Sequence, residues 1–249
     1  ISFIILSKTF SNIIHVPDNY PTIQAGIDAA SDSDTVLVSD GEYYENLILD
    51  KDITLASHFL LDLLESHRDS TIINGSFASD DAEYGSCLLI AGDDIYPVVQ
   101  GFTFTGGKGI LTNEVFEGET IYKRRGGGVL VSQSNAAVTH NRFYNNGNLD
   151  RGSRIAGGGG ASFIGTGIGV GRETPRDMNR ELIVDFSHNI FDNNHSEIGN
   201  TFESIGFEGE INFQGATFDV FSSEYMDVSE YWIVNDEATT DYNGAVGTT

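Results

Sequence analysis

Apolar residues in this chain come in short runs, each closed by glycine, asparagine, aspartate or proline. Ile13-Ile14-His15-Val16 stops at Pro17, and Thr35-Val36-Leu37-Val38 stops at Ser39-Asp40-Gly41. Runs of this length between turn residues read as strands. The same pattern predicts strands over 45–49, 53–56, 71–75, 87–90 and 98–104, and still shorter ones beyond. One stretch differs. Within 20–30, Ile23, Ile27 and Ala30 fall at i, i+4 and i+7 with Pro21 near the start, which is the helical period and a helical opening. It is the one helix the pattern supports.

The second half repeats itself. Gly126-Gly127-Gly128-Val129-Leu130-Val131 matches Gly158-Gly159-Gly160-Ala161-Ser162-Phe163. Thr139-His140-Asn141-Arg142-Phe143-Tyr144-Asn145-Asn146 matches Ser187-His188-Asn189-Ile190-Phe191-Asp192-Asn193-Asn194. The glycines precede the first asparagine by 15 residues in one unit and 31 in the other, so 165–180 reads as a 16-residue inserted loop. Short strands in repeating units mark a solenoid, whose units bury their apolar sides only by stacking. The Asn-Gly pairs at 74–75, 146–147 and 243–244 do not sit between alternating strands, so the pattern favours parallel coils over hairpins. Asparagines at one place in successive coils would form a hydrogen-bonded ladder. The 20–30 helix would cap the open end of the stack.

Residues 14–55 resemble the N-terminal cap and first coils of right-handed parallel β-helix proteins of the pectin-lyase-like class. The likeness runs through the cap helix, Asp34-Thr35-Val36-Leu37-Val38, Gly41-Glu42-Tyr43-Tyr44-Glu45-Asn46 and Ile53-Thr54-Leu55. Gly101-Phe102-Thr103-Phe104-Thr105-Gly106-Gly107 is similar to a segment common in that class. The glycine triplets and the Phe143–Asn146 and Phe191–Asn194 steps resemble repeats of polymorphic outer-membrane-protein passengers. The resemblance covers about 14–195 and implies an all-β right-handed parallel β-helix solenoid with an N-terminal capping helix. Its members include lyases, hydrolases, esterases and non-catalytic surface modules, so fold alone does not give function.

The catalytic patterns of that class are not matched. The Arg-x-Pro-x-x-Arg of pectate lyases is absent; Arg172-Glu173-Thr174-Pro175-Arg176 has the letters without the spacing. Gly92-Asp93-Asp94 is the one echo of polygalacturonases, and no Gly-His-Gly or Arg-Ile-Lys follows. The pectin methylesterase steps are missing too. Asp93 and Asp94, with Asp80-Asp81, remain weak candidates for paired-carboxylate chemistry, against the plainer reading of polar turns. No cofactor is implied; calcium is an option where acids meet backbone carbonyls, although no EF-hand-type loop occurs. His140 and His188 recur with the repeat and read as architecture. Cys87, the single cysteine, lies in an apolar strand and reads as buried and inert.

Charge adds a feature the strand pattern lacks. Acids outnumber bases 37 to 13, for a formal net charge of −24, which disfavours nucleic acid as a partner. Residues 1–107 carry −14, 108–180 carry +4 and 181–249 carry −14. A basic band therefore lies between two acidic blocks. Strand alternation sends Asn141 and Phe143 inward and Arg142 outward. Stacking would bring Lys123, Arg124 and Arg125 to the same corner as Arg151 and Arg154, with Arg172 and Arg176 in the inserted loop. Such a strip would suit glycan carboxylates or sulfates. Local pairing with Glu114, Glu117, Glu119, Glu173 and Asp177 is the competing reading.

The resulting expectation is a secreted or cell-surface β-helix module, non-catalytic, adhesin-like or glycan-binding. The alternative is a polysaccharide lyase or glycoside hydrolase with its site in inserted loops. Residues 1–12 read as a signal-peptide remnant or first strand, 13–236 as the β-helix domain, and 237–249 as a linker to further domains of a longer protein. No apolar run reaches the 18 residues of a membrane span.

Overall fold

The computed structural model describes residues 11–149, 155–175 and 181–219, and the strands Tyr231–Val234, Thr239–Asp241 and Val246–Gly247. From Leu47 onward the chain visits three sheets in fixed rotation. It passes from Leu47–Leu49 to Thr54–Ser57 to Thr71–Asn74, then from Leu88–Ala91 to Val98–Gln100 to Thr103–Thr105, and so on to the last described strand. All pairings in these three sheets are parallel. The arrangement is all-β and β-helix-like. We call the sheets first, second and third by Thr54–Ser57, Thr71–Asn74 and Leu88–Ala91 respectively.

Helix α1, Ile23–Ala29, packs on the strands Ile13–Val16, Thr35–Val38 and Leu47–Leu49. The Thr22 hydroxyl accepts from the Ala25 amide, and the Glu45 carboxylate accepts from the free amides of Ile23 and Gln24 at 2.8 and 2.9 Å. Ile23, Ile27 and Ala30 are buried, as the helical period requires.

The interior is a column of side chains in register. Phe104, Phe143, Phe191 and Phe218 of the second sheet stack with centroids 5.2, 5.1 and 5.3 Å apart. Two asparagine ladders run beside them. The Asn141 amide N–H donates to Asn189 Oδ1 at 2.8 Å, and Asn146 Nδ2 donates to Asn194 Oδ1 at 3.0 Å. Asn141 also accepts from Phe102 N and donates to the carbonyls of Val99 and Thr139, so one buried side chain satisfies the corners of two coils. The glycine triplets pair along the stack, and a Cβ on Gly127 would lie 2.5 Å from the Gly159 carbonyl oxygen.

Register recovers the insertion: Val129 pairs with Ala161, 32 residues on, but Ala136 with Val184, 48 on. Four sequence expectations change. The 98–104 run is broken by Gly101 at φ 79° into two strands on different sheets. Residues 109–125 form an antiparallel hairpin, Gly109–Phe116 with Glu119–Arg125, where the sequence suggested only parallel coils. Its two-residue turn has Glu117 and Gly118 at φ 49° and 86°, which suits the strand twist of a hairpin. The excursion between Ser57 and Thr71 contains two short helices, α2 (Phe59–Asp62) and α3 (Glu65–Ser70), too brief to leave a periodic signal. Finally, Thr239–Asp241 and Val246–Gly247 pair with strands of the first and second sheets, so at those positions the 237–249 stretch continues the sheets instead of leaving them. Residues 1–10 lie outside the described residues. Among the described residues, no helix is long and apolar enough to cross a membrane.

Candidate functional site

Alternation splits each strand of the third sheet between two environments. Leu88, Ile90, Val129, Val131, Ala161, Phe163 and Phe202 join the main core. The register Leu89–Leu130–Ser162–Glu203 faces the other way. A fourth, mixed sheet covers that outer face. It contains the hairpin, Ile155–Gly157, Ser196–Ile198 and Ile168–Val170, the last a strand from the insertion that docks antiparallel on the hairpin. Leu89, Leu130 and Ile164 pack there against Ile110, Ile168 and Val170, forming a second, smaller core.

Towards the C-terminal end this layer turns polar. Glu203 is fully buried, and its carboxylate accepts from the Arg125 guanidinium and from the Ser162 hydroxyl at 3.2 Å. Gly157 makes the space: a Cβ there would lie 2.4 Å from the Glu203 carboxyl. Arg125 is itself 2% exposed, and its Nη2 is 3.7 Å from Glu114 Oε2. Glu114 Oε1 in turn takes Lys123 Nζ at 2.5 Å. Two bases and two acids thus alternate along one line. Among the described residues, Arg125 Nε finds no hydrogen-bond partner.

A hollow of about 460 Å³ opens beside this line. The hairpin face supplies Glu114, Phe116 and Lys123, the insertion supplies Thr166 to Ile168, and the coils behind supply Glu197, Ile198 and Ile205. Val115 and Phe116 stand on its rim, 62% and 61% exposed. A second hollow, about 290 Å³, is lined by Ile48, Asp50, Tyr84, Asp93, Gln133, Val170 and Glu173.

Among the described residues, the basic side chains named from sequence lie on different faces. Lys123 and Arg125 share the hairpin face that looks on the third sheet, but both are engaged by glutamates, and Arg125 is too buried to present a charge to a glycan. Arg124 alternates to the opposite face, donates to the Gly109 carbonyl at 3.0 Å, and is lowered from the usual arginine pKa by burial, against the pull of Asp81 and Asp80. Arg142 does point outward, as alternation required, yet on the second sheet. It pairs with Asp192 at 2.5 Å and lies 4.9 Å from the Tyr144 ring centroid. Arg172 is exposed in the insertion, and its backbone amide donates to Glu83. Arg151, Arg154 and Arg176 lie outside the described residues. Asp93 and Asp94 occupy an exposed turn, Asp94 at φ 58°, and Asp80 pairs with Lys108 at 3.2 Å.

The residues read as architecture behave so. His140 and His188, both at φ 58°, stack with centroids 4.8 Å apart, and Phe59 closes on the other side of His140 at 5.4 Å. Burial, then the neighbouring His188, lowers the His140 pKa. Cys87 is buried and its thiol is pushed up to about 12 by desolvation. Sequence reasoning missed Glu203, Glu197 and Phe116. A hint was available in aligning Phe202-Glu203-Ser204-Ile205 with Ala161-Ser162-Phe163-Ile164, which places an acid at an outer-face position.

No protein-family description matches this chain, and no curated protein matches its sequence. Among solved structures, it is similar to an alginate lyase from Paenibacillus sp. str. FPU-7. That likeness has 10% identity and a TM-score of 0.33, and covers 95% of this chain and 98% of the lyase. A TM-score that low assigns no residue a role.

Proposed function

We propose that the chain is a right-handed parallel β-helix solenoid capped by α1, secreted or displayed at a cell surface. In this reading it binds a glycan strand in the hollow beside the hairpin and does not cleave it. The observation that carries the reading is the exposed Phe116 and Val115 rim over a hollow whose Lys123, Glu114, Arg125 and Glu203 are paired with one another. An aromatic face with few free charges suits the apolar face of a sugar ring, flanked by hydrogen bonds. It suits a neutral glycan better than the carboxylated or sulfated one first expected, because the two cations lining the hollow, Lys123 and Arg125, are engaged by glutamates.

The enzyme reading keeps one observation in its favour: Glu114, Glu197 and Glu203 line a single hollow, and glycoside cleavage needs two carboxyl groups. Incubation with neutral and acidic polysaccharides, followed by reducing-end and unsaturated-uronate assays beside a binding screen, separates the two. Retention without new chain ends supports the module. Cleavage abolished by Glu197→Gln supports the enzyme.

A further inference from the structure

The excursion between the first and second sheets brings together donors that the glycan reading does not use. His58 follows Thr54–Ser57, His67 lies in α3, and Asp40 lies in the turn before Gly41–Tyr43 on the preceding coil. His67 Nδ1 is 2.7 Å from Asp40 Oδ1, and its Nε2 is 3.3 Å from Asp62 Oδ2 at the end of α2. The His58 ring meets the His67 ring edge-on at 5.6 Å. One donor atom from each of Asp40, His58 and His67 lies within 4.8 Å of the others, and both histidines are half-buried, open to entry from solvent.

From this geometry we infer that Asp40, His58 and His67 form a three-donor binding site for a borderline divalent transition-metal ion, of which Zn²⁺ is the type, with Asp62 accepting from the other nitrogen of His67 and orienting its ring. Two imidazoles with a carboxylate are a donor set such ions prefer, whereas calcium and magnesium favour all-oxygen sites. Donors about 2.0–2.1 Å from a tetrahedral ion lie about 3.3 Å apart, so a cluster whose donors lie within 4.8 Å of one another closes with shifts of about 1.5 Å or less. The ion would replace the proton between His67 Nδ1 and Asp40, and the Nε2 proton would stay with Asp62.

The local fold gives such a clip a purpose. Helices α2 and α3 have four and six residues, too few to persist alone. The excursion exposes Leu61, Leu63 and Leu64, and few of its side chains are buried, chiefly Phe59 and Arg68. A metal bound to Asp40 would tie it to the preceding coil. Asp40 raises the His67 pKa chiefly by hydrogen bonding, so proton and metal compete, and affinity is measured at about pH 8.

The test is calorimetric titration of Zn²⁺ into chelator-stripped protein. One ion per chain is expected, bound at micromolar Kd. His58→Gln and His67→Gln should each weaken binding about tenfold or more while keeping the wild-type circular dichroism. The melting temperature of the wild type should rise with Zn²⁺ and not with Mg²⁺. Bound Co²⁺ provides a readout without substitution, by the intense visible bands of a tetrahedral site. Absent or millimolar binding, wild-type affinity in either variant, or a cobalt spectrum like that of the aqua ion would each overturn the inference. None of these results depends on whether the hollow beside the hairpin binds a glycan.

Discussion

Replacing Glu203 tests whether the polar line beside the hollow is held together as described. Glu203 and Arg125 are both buried, with the Ser162 hydroxyl the other hydrogen-bond donor to the carboxylate. Glu203→Leu would leave the Arg125 guanidinium with only Glu114, 3.7 Å away, too long for a good hydrogen bond. Removing one partner of a buried pair costs about 3–5 kcal/mol, most of it the desolvation of the charge left behind. Arg125→Leu should cost a similar amount by stranding Glu203. The double variant puts two leucines beside a layer already made of Leu89, Leu130, Ile110 and Ile164, so it should cost much less than the sum. A coupling of about 2 kcal/mol or more is expected, read from urea denaturation followed by circular dichroism. If either single variant were as stable as the wild type, or if the two costs simply added, the buried pair would be no pair.

Other consequences are as direct. Asn189→Ala should destabilise by about 1–3 kcal/mol in the same urea assay, because it removes the acceptor of the buried Asn141 amide and the Nδ2 that donates to the carbonyls of Val138 and Phe186. The Cys87 thiol should resist a disulfide reagent at pH 8 in the native protein and react at once in denaturant. Because its folded pKa is raised to about 12 from an ordinary value near 9, its contribution is intact below about pH 9 and is lost as pH rises towards 12. The lowered His140 pKa has the opposite sense: that stability is present above the ordinary histidine value of about 6.5 and is lost as pH falls below it. His140→Asn tolerates the left-handed backbone, and its melting temperature should fall less steeply than that of the wild type between about pH 7 and 5.

Much of the fold was legible because its units repeat. The asparagines at 141 and 189 and the phenylalanines at 143 and 191 mark one place in successive coils, and the 16-residue offset between their glycine and asparagine spacings is the shift the pairing register shows. Local turn chemistry misled where it was unusual. The hairpin turns on Glu117-Gly118 and carries no Asn-Gly or Asp-Gly signal, and its strands show no clean alternation because they pack on one sheet and edge another. The site was less legible for a different reason. Whether a charge is free depends on partners far away in sequence: Arg125 meets Glu203 78 residues later, and Arg142 meets Asp192 50 later. A block count of charge sees a basic band, whereas the fold pairs Lys108, Lys123, Arg125 and Arg142 of that band with acids. The fully buried Glu203 contradicts what its residue type would suggest, and only the guanidinium beside it makes that burial tolerable.

The reading of the hollow rests on Phe116, and affinity electrophoresis through gels containing neutral polysaccharides tests it most directly. Retardation of the wild type should persist in high salt and leave the polysaccharide chains uncut, and Phe116→Ala should abolish it while keeping the wild-type melting temperature, since the ring is 61% exposed. Retardation that survives Phe116→Ala, that salt removes, or that accompanies shortened chains would contradict the account.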